Sequence, residues 1–171
     1  MKGRTKRGLS VLMVCTGNIC RSPTAEGVLR HRLRALGLDG QVQVESAGIQ
    51  GWHAGEAPDP RSQEHASRRG YDLSTQRARA VRALDFEQAD LILAMDRGHL
   101  QALSQRCPPS LRHKLGLLLD HAPDGLGPDV PDPYYGGAQG FEAVQDLVEA
   151  ACGPLAQGLA ARLAAQRADG S

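Results

Sequence analysis

Leu9-Ser-Val-Leu-Met-Val-Cys15-Thr-Gly-Asn-Ile-Cys-Arg21-Ser-Pro-Thr-Ala-Glu26 is the stretch whose reading decides the fold. Its opening run, Leu9 to Val14, is rich in apolar strand formers and ends at a Thr-Gly-Asn turn signal, the pattern of a buried β-strand. Ser22-Pro23 then opens a helix. Serine suits the cap, proline suits the first helical position, and Glu26 suits the positive end of the helix dipole. Val28, Leu29, Leu33 and Leu36 continue at helical spacing, and Gly37 stops the helix.

The same alternation continues along the chain. Gln41 to Ser46 alternates polar and apolar residues and reads as a second strand. After a loop from Ala47 to Pro60, Arg61 to Arg69 reads as a helix ended by Gly70. Asp90-Leu-Ile-Leu-Ala-Met95 is a third strand, Asp96 to about Gln105 a helix, and Lys114 to Leu119 a fourth strand. Asp120 to Gly137 is a long loop with four prolines. Phe141 to about Gln166 forms a final helix, expected to bend at Gly153-Pro154. Strands that alternate with helices and read as apolar runs imply a parallel sheet covered on both faces. The expected fold is therefore α/β: a single-domain, open, twisted, four-stranded parallel sheet, with the loop after the first strand at its carboxyl edge. The expected boundaries are a basic tail over 1–8, a domain over 9–167 and a short tail over 168–171.

In that frame the loop from Cys15 to Ser22 carries chemistry. A cysteine followed six positions later by an arginine is a weak pattern by itself. Placed where a strand turns into a helix, it gains a specific meaning. Backbone N–H groups at a helix start bind anions, and the same setting with a neighbouring arginine favours thiolate over thiol. Gly17 and Asn18 are residue types that tolerate the unusual backbone angles of a tight cradle. A thiolate at the base of an anion site can attack bound phosphorus, and Arg21 can hold two phosphate oxygens through its planar fork. Ser22 can donate a hydrogen bond to the sulfur and help it leave.

Composition narrows the classes. The 171 residues carry a net charge of +1, which gives no global field for nucleic acid. No apolar run approaches the ~20 residues of a membrane-spanning helix. The basic stretch Met1–Arg7 followed by Leu9–Val14 superficially resembles an export signal, but the apolar part is too short and no small-x-small cleavage site follows. Cys15, Cys20, Cys107 and Cys152 form neither a CxxC pair nor a zinc spacing, so reduced thiols and a cytoplasmic setting are expected. No cofactor or metal is expected. Cys20 lies five residues from Cys15 in a curled loop, where the two α-carbons can fall within the ~7 Å disulfide limit. It is a candidate redox partner for Cys15, with simple packing beneath the loop as the alternative.

Val14-Cys-Thr-Gly-Asn-Ile-Cys-Arg-Ser-Pro23 together with Asp132-Pro-Tyr-Tyr-Gly136 resembles the low-molecular-weight protein tyrosine phosphatase family. Glu45-Ser-Ala-Gly48, Gly51-Trp-His53 and Ala94-Met-Asp96 extend the similarity over essentially the whole domain. The resemblance implies that Cys15 is the nucleophile, with Thr16, Gly17, Asn18, Ile19, Cys20, Arg21 and Ser22 forming the phosphate cradle. It implies that Asp132 is the general acid and that Asn18 braces the loop through Ser46. Trp52, Tyr134 and Tyr135 would wall a slot for an aromatic ring. The expected partners are tyrosine-phosphorylated proteins, met by a monomer or weak homodimer. One position departs from the pattern: Gln76 stands where the family usually has histidine, and it is expected to hydrogen-bond Glu26 without carrying charge. Arsenate reductase, phosphoarginine phosphatase and a non-catalytic phosphoprotein-binding module remain as alternatives. The first needs resolving cysteines near the site, the second characteristically has threonine at the position of Ile19, and the third would lack the nucleophile, the arginine or the acid.

Overall fold

The computed structural model describes residues 8–170. Most of the expected basic tail, residues 1–7, lies outside the described residues. Four parallel strands, β1 (Leu9–Cys15), β2 (Val42–Gly48), β3 (Leu91–Ala94) and β4 (Leu115–Leu117), lie in the order β2-β1-β3-β4. Helices α1 (Arg21–Ala35), α2 (Pro60–Arg68), α3 (Ala83–Gln88), α4 (Arg97–Arg106) and α5 (Ala138–Gly170) fill the connections. The chain leaves β1 toward β2 on one side and returns to β3 on the other. The carboxyl end of β1 is thus the switch point where open α/β sheets place their ligands.

β1 reads as a continuous apolar run because both of its faces are covered. Leu9, Val11, Met13 and Cys15 pack into a core with Val28, Leu29 and Leu33 of α1 and Val148, Leu155 and Leu159 of α5. Leu12 and Val14 point the other way, against Phe86 of α3 and Leu103 of α4. α1 ends as its glycine requires: Gly37 has φ +73°, its N–H meets the Arg34 carbonyl at 3.0 Å, and Leu38 N–H meets that of Leu33 at 2.8 Å.

Several element boundaries differ from the sequence expectation, each for a local reason. α1 begins at Arg21, with Cys20 at the cap position and no side-chain cap, so Ser22 is not the cap. Its hydroxyl is engaged by the loop instead. β4 is shorter than Lys114–Leu119 because Leu118–His121 winds into a 3-10 turn, held by Leu117 N–H on Asp120 Oδ2 at 3.0 Å. α3 and the 3-10 turn over Pro109–Lys114 are too short to show a helical period in sequence. α5 starts at Ala138, runs unbroken through Pro154 and reaches Gly170, so most of the expected carboxyl tail is helical. Proline costs that helix a backbone bond. Burial of Ala151, Cys152, Leu155, Ala156, Leu159 and Leu163 against the sheet and α1 outweighs it.

The long proline-bearing loop is pinned at one point. Val130 is fully buried, and its N–H bonds the Met95 carbonyl at 2.8 Å, just beyond the end of β3. Asp129 beside it holds Arg97 at 3.0 Å. This anchor carries the following residues over the carboxyl edge of the sheet.

Candidate active site

Cys15, Arg21 and Asp132 meet in one cleft of about 180 Å³ at that edge, floored by Thr16, Gly17, Ile19 and Cys20 and walled by Trp52, Tyr134 and Tyr135. The volume is below the ~300–1,000 Å³ of pockets that enclose a whole small molecule, and suits the insertion of one side chain. The walls are open: Trp52 is 70% and Tyr135 91% exposed. Tyr134 is steadier, with the Arg61 guanidinium 5.3 Å from its ring centre.

The loop is shaped by what lies behind it. Asn18 has φ +61°, the left-handed region that asparagine tolerates. Its amide nitrogen donates to Ser22 Oγ and to Ser46 Oγ, both at 2.9 Å, and its oxygen accepts from Arg79 N–H at 3.0 Å. Asn18 and Ser22 therefore brace the cradle, their side chains turned away from the cleft. Because Asn18 donates into the Ser22 oxygen, the hydroxyl hydrogen of Ser22 points away from Asn18, with Cys15 Sγ at 3.0 Å as its nearer acceptor and the Ala47 carbonyl at 3.5 Å as the farther one. Ser46 passes the chain on, donating to Glu26 Oε1 at 2.7 Å, and Arg30 closes it at 2.8 Å from Glu26. Burial pushes the Glu26 carboxyl above its ordinary range, against the hydrogen bond from Ser46.

Gln76 corrects one expectation. It does not bond Glu26: its amide nitrogen donates to the Pro23 carbonyl at 3.0 Å, and its oxygen sits 3.5 Å from Ser46 Oγ. The neutral side chain ties down the first turn of α1, and Arg30 supplies the positive charge that Glu26 meets. Gly48 braces the loop by having no side chain. A Cβ there would stand 2.8 Å from the Thr16 carbonyl oxygen and 2.9 Å from that of Gln50.

Arg21 is only 4% exposed. Nη1 donates to Asp96 Oδ2 and to the Val130 carbonyl, both at 2.9 Å, while Nη2 faces Thr16 Oγ1 at 3.4 Å and Asp132 Oδ2 at 3.7 Å. Asp132 is half-exposed, and its other oxygen accepts from Tyr134 N–H at 3.0 Å, an Asx turn that aims the carboxylate. Cys20 is buried beside the cleft, and burial pushes its thiol up to about 12, partly offset by Ser62. All four cysteines are free. Among the described residues, no group of three or more His, Cys, Asp and Glu side chains gathers as a metal ion would need.

Sequence reasoning missed Asp96, His99, Val130 and His53. Asp96 caps α4, accepting His99 N–H at 2.8 Å, and holds Arg21 with its second oxygen. Its sequence signals were an acidic residue at a helix start after a buried strand and its place in the Ala94-Met-Asp96 segment of the resemblance, neither of which assigned it a role. His53 lines the cleft beside Trp52.

A cysteine and an arginine on one strand-to-helix loop, with a carboxylate across the cleft, define a cysteine-dependent phosphatase site on an open parallel sheet. The family model for low molecular weight phosphotyrosine protein phosphatase matches residues 10–167. A low molecular weight protein-tyrosine-phosphatase of Streptomyces coelicolor is 48% identical, covering 82% of this chain and 87% of its own. The crystal structure of YfkJ from Bacillus subtilis superposes with a TM-score of 0.86 at 38% identity, covering 94% of this chain and 99% of that one. That of a protein tyrosine phosphatase from Entamoeba histolytica gives 0.84 at 37%, covering 86% and 94%. This chain belongs to the low molecular weight phosphotyrosine protein phosphatase family.

Proposed function

We infer that the protein hydrolyses phosphotyrosine in protein substrates through a cysteinyl-phosphate on Cys15. The observation that carries this reading is the meeting of Cys15, Arg21 and Asp132 in one cleft sized for a single side chain. The carbonyls of Cys15, Thr16 and Ile19 are taken by N–H groups of Ile49, Gln50 and Asp59. That leaves the amides of the loop for an anion. The sulfur attacks phosphorus, the P–O bond to tyrosine breaks, and Asp132 gives the departing oxygen its proton. Asp132 then takes a proton from water as it attacks the cysteinyl-phosphate. Ser22 stabilises the sulfur as it leaves, and Arg21 spans two phosphate oxygens throughout.

Trp52, Tyr134 and Tyr135 suit an aromatic ester better than an inorganic oxyanion. Ile19 places an apolar side chain on the cleft floor, in keeping with an aryl group. Cys20 is proposed as the thiol that captures oxidised Cys15, with burial holding its thiol above the ordinary range. A Cys20→Ser protein that recovers from peroxide as fully as the parent removes that role. Four free cysteines support a cytoplasmic setting, and no helix among the described residues is long and apolar enough to cross a membrane.

The deciding experiment compares turnover of phosphotyrosine, phosphoarginine and phosphoserine peptides, with arsenate reduction measured alongside. Phosphotyrosine should be preferred, and Cys15→Ser should abolish turnover while still binding phosphate. Asp132→Ala should slow phosphotyrosine by the ~10²–10⁴-fold typical of a lost general acid, and p-nitrophenyl phosphate much less. Equal losses on both substrates would refute the acid assignment.

A further inference from the structure

The proposed hydrolysis leaves one buried titratable group beside the cleft without a task. His99, in the first turn of α4, is 7% exposed. Its Nε2 lies 2.7 Å from Thr16 Oγ1 and 3.4 Å from Arg21 Nη2. Its Nδ1 lies 3.1 Å from Asp96 Oδ1 but has no aligned hydrogen-bond partner among the described residues. That oxygen is already taken by the backbone N–H of His99 itself, at 2.8 Å.

These contacts settle where the ring proton sits. A guanidinium only donates, and Arg21 Nη2 stands 3.4 Å from both Thr16 Oγ1 and His99 Nε2. Both atoms must turn lone pairs toward it, so Nε2 is bare and the Thr16 hydroxyl donates its hydrogen to Nε2. The ring proton then belongs on Nδ1, facing Asp96. A circuit results: Arg21 Nη2 to Thr16 Oγ1, Thr16 to His99 Nε2, and Arg21 Nη1 back to Asp96 Oδ2.

The circuit matters because Asp96 and Val130 both hold Arg21 through Nη1. Those two in-plane N–H bonds anchor one tip of the fork, whereas bidentate phosphate binding also needs the other tip, Nη2, held in register. Thr16 supplies the second point. We propose that His99, kept neutral, is a positioning residue that fixes the Thr16 hydroxyl as an acceptor toward Arg21 and so holds Nη2, the outer tip of the fork, in register for phosphate. The proposal rests on the phosphatase reading.

Protonation would break the circuit. An N–H on Nε2 would face the Arg21 N–H across 3.4 Å, and Thr16 would have to accept from the ring instead of donating to it, so its hydroxyl would no longer be fixed. Asp96, Asp132 and Asp129 favour the charged ring; burial, first, and Arg21 oppose it, and the net effect holds the imidazole below its ordinary pKa. The neutral form therefore persists at pH 7 and gives way only in acid.

The test measures p-nitrophenyl phosphate turnover against pH for the parent, His99→Ala, His99→Gln, Thr16→Val and the double variant Thr16→Val/His99→Ala. Thr16→Val and His99→Ala should each lower kcat/KM about tenfold, less than the ~10²-fold an ångström of misplacement can cost. The double variant should lose no more than either, because both break one circuit. His99→Gln, whose amide oxygen accepts the Thr16 proton and never charges, should recover most of the loss and remove one ionisation from the acid limb of kcat. Additive losses, or an unchanged acid limb in His99→Gln, would overturn the proposal. Imidazole nitrogen NMR on the parent needs no variant: a ring protonated at Nδ1 alone at pH 7 supports it, and a proton on Nε2 overturns it. A parent that hydrolyses no aryl phosphate would sink the phosphatase reading instead, while the NMR result would still decide the tautomer.

Discussion

Arg21 in the cleft and Arg69 in the clasp between α2 and α5 are held in opposite ways. Arg69 is 23% exposed and meets three carboxylates, Glu142 at 2.6 Å, Glu149 at 2.7 Å and Asp146 at 2.9 Å. Glu142 also holds His65, and Glu149 also holds the Tyr71 hydroxyl. Three acids drive the Arg69 pKa well above its ordinary value, the hydrogen bond that Arg69 donates to Glu142 first. Arg21 is far more buried, yet has one carboxylate at 2.9 Å and a second only at 3.7 Å. Burying a charge is costly unless it is fully paired. The partly buried Arg69 has three carboxylates and the fully buried Arg21 has one in direct contact. Nη2 of Arg21, with its nearest carboxylate oxygen at 3.7 Å, is the part of the fork left for a phosphate dianion to meet.

The sharpest way to break this contrast is to change both arginines alike. Arg21→Lys should lower kcat by ~10²–10³-fold, the scale of losing an oriented transition-state donor. Its thermal midpoint should move little. Arg69→Lys should leave kcat unchanged and reduce unfolding free energy by about 1 kcal/mol, since its partners all keep some access to solvent. If Arg69→Lys also loses turnover, the clasp is not merely structural. Gly48→Ala tests the backbone behind the cradle. Displacing the Thr16 carbonyl should cost about 1–3 kcal/mol of stability, as overpacking does, and slow turnover as well; melting curves and kinetics on one preparation decide it.

The smallest effect concerns acid. Hydrogen bonds from Arg69, then His65, hold the Glu142 carboxyl below its ordinary range. Its contribution is therefore present above the usual unfolded value of ~4.5 and is lost as pH falls through the lower folded value. Glu142→Gln should flatten the fall of the thermal midpoint in that acid window and leave turnover at pH 7 untouched.

How much of this was legible in sequence depended on contiguity. Cys15, Gly17, Asn18, Arg21 and Ser22 lie within eight residues, and their strand, turn and helix signals reinforce one another. The sheet followed for the same reason, since apolar runs such as Leu9–Val14 and Leu91–Ala94 declare themselves locally. Asp132 came from a second motif, and no periodicity could have placed it across from Cys15. Asp96, His99 and Val130 reach Arg21 only because β3, the α4 cap and the pinned loop converge on it. Gln76 was assigned to Glu26 by analogy with a charged residue. A neutral amide instead found a backbone carbonyl, at Pro23, within reach.

Val130 does two jobs at once: its N–H is fastened to Met95 and its carbonyl to Arg21. Asp132 follows two residues later. At ~3.3–3.6 Å per residue, its α-carbon can swing no more than about 7 Å from that fastening. A door hung so close to its hinge cannot be lifted off without disturbing the frame. Any change that peeled Val130 away would loosen the arginine together with Asp132. Acid and arginine are in this sense a single moving part.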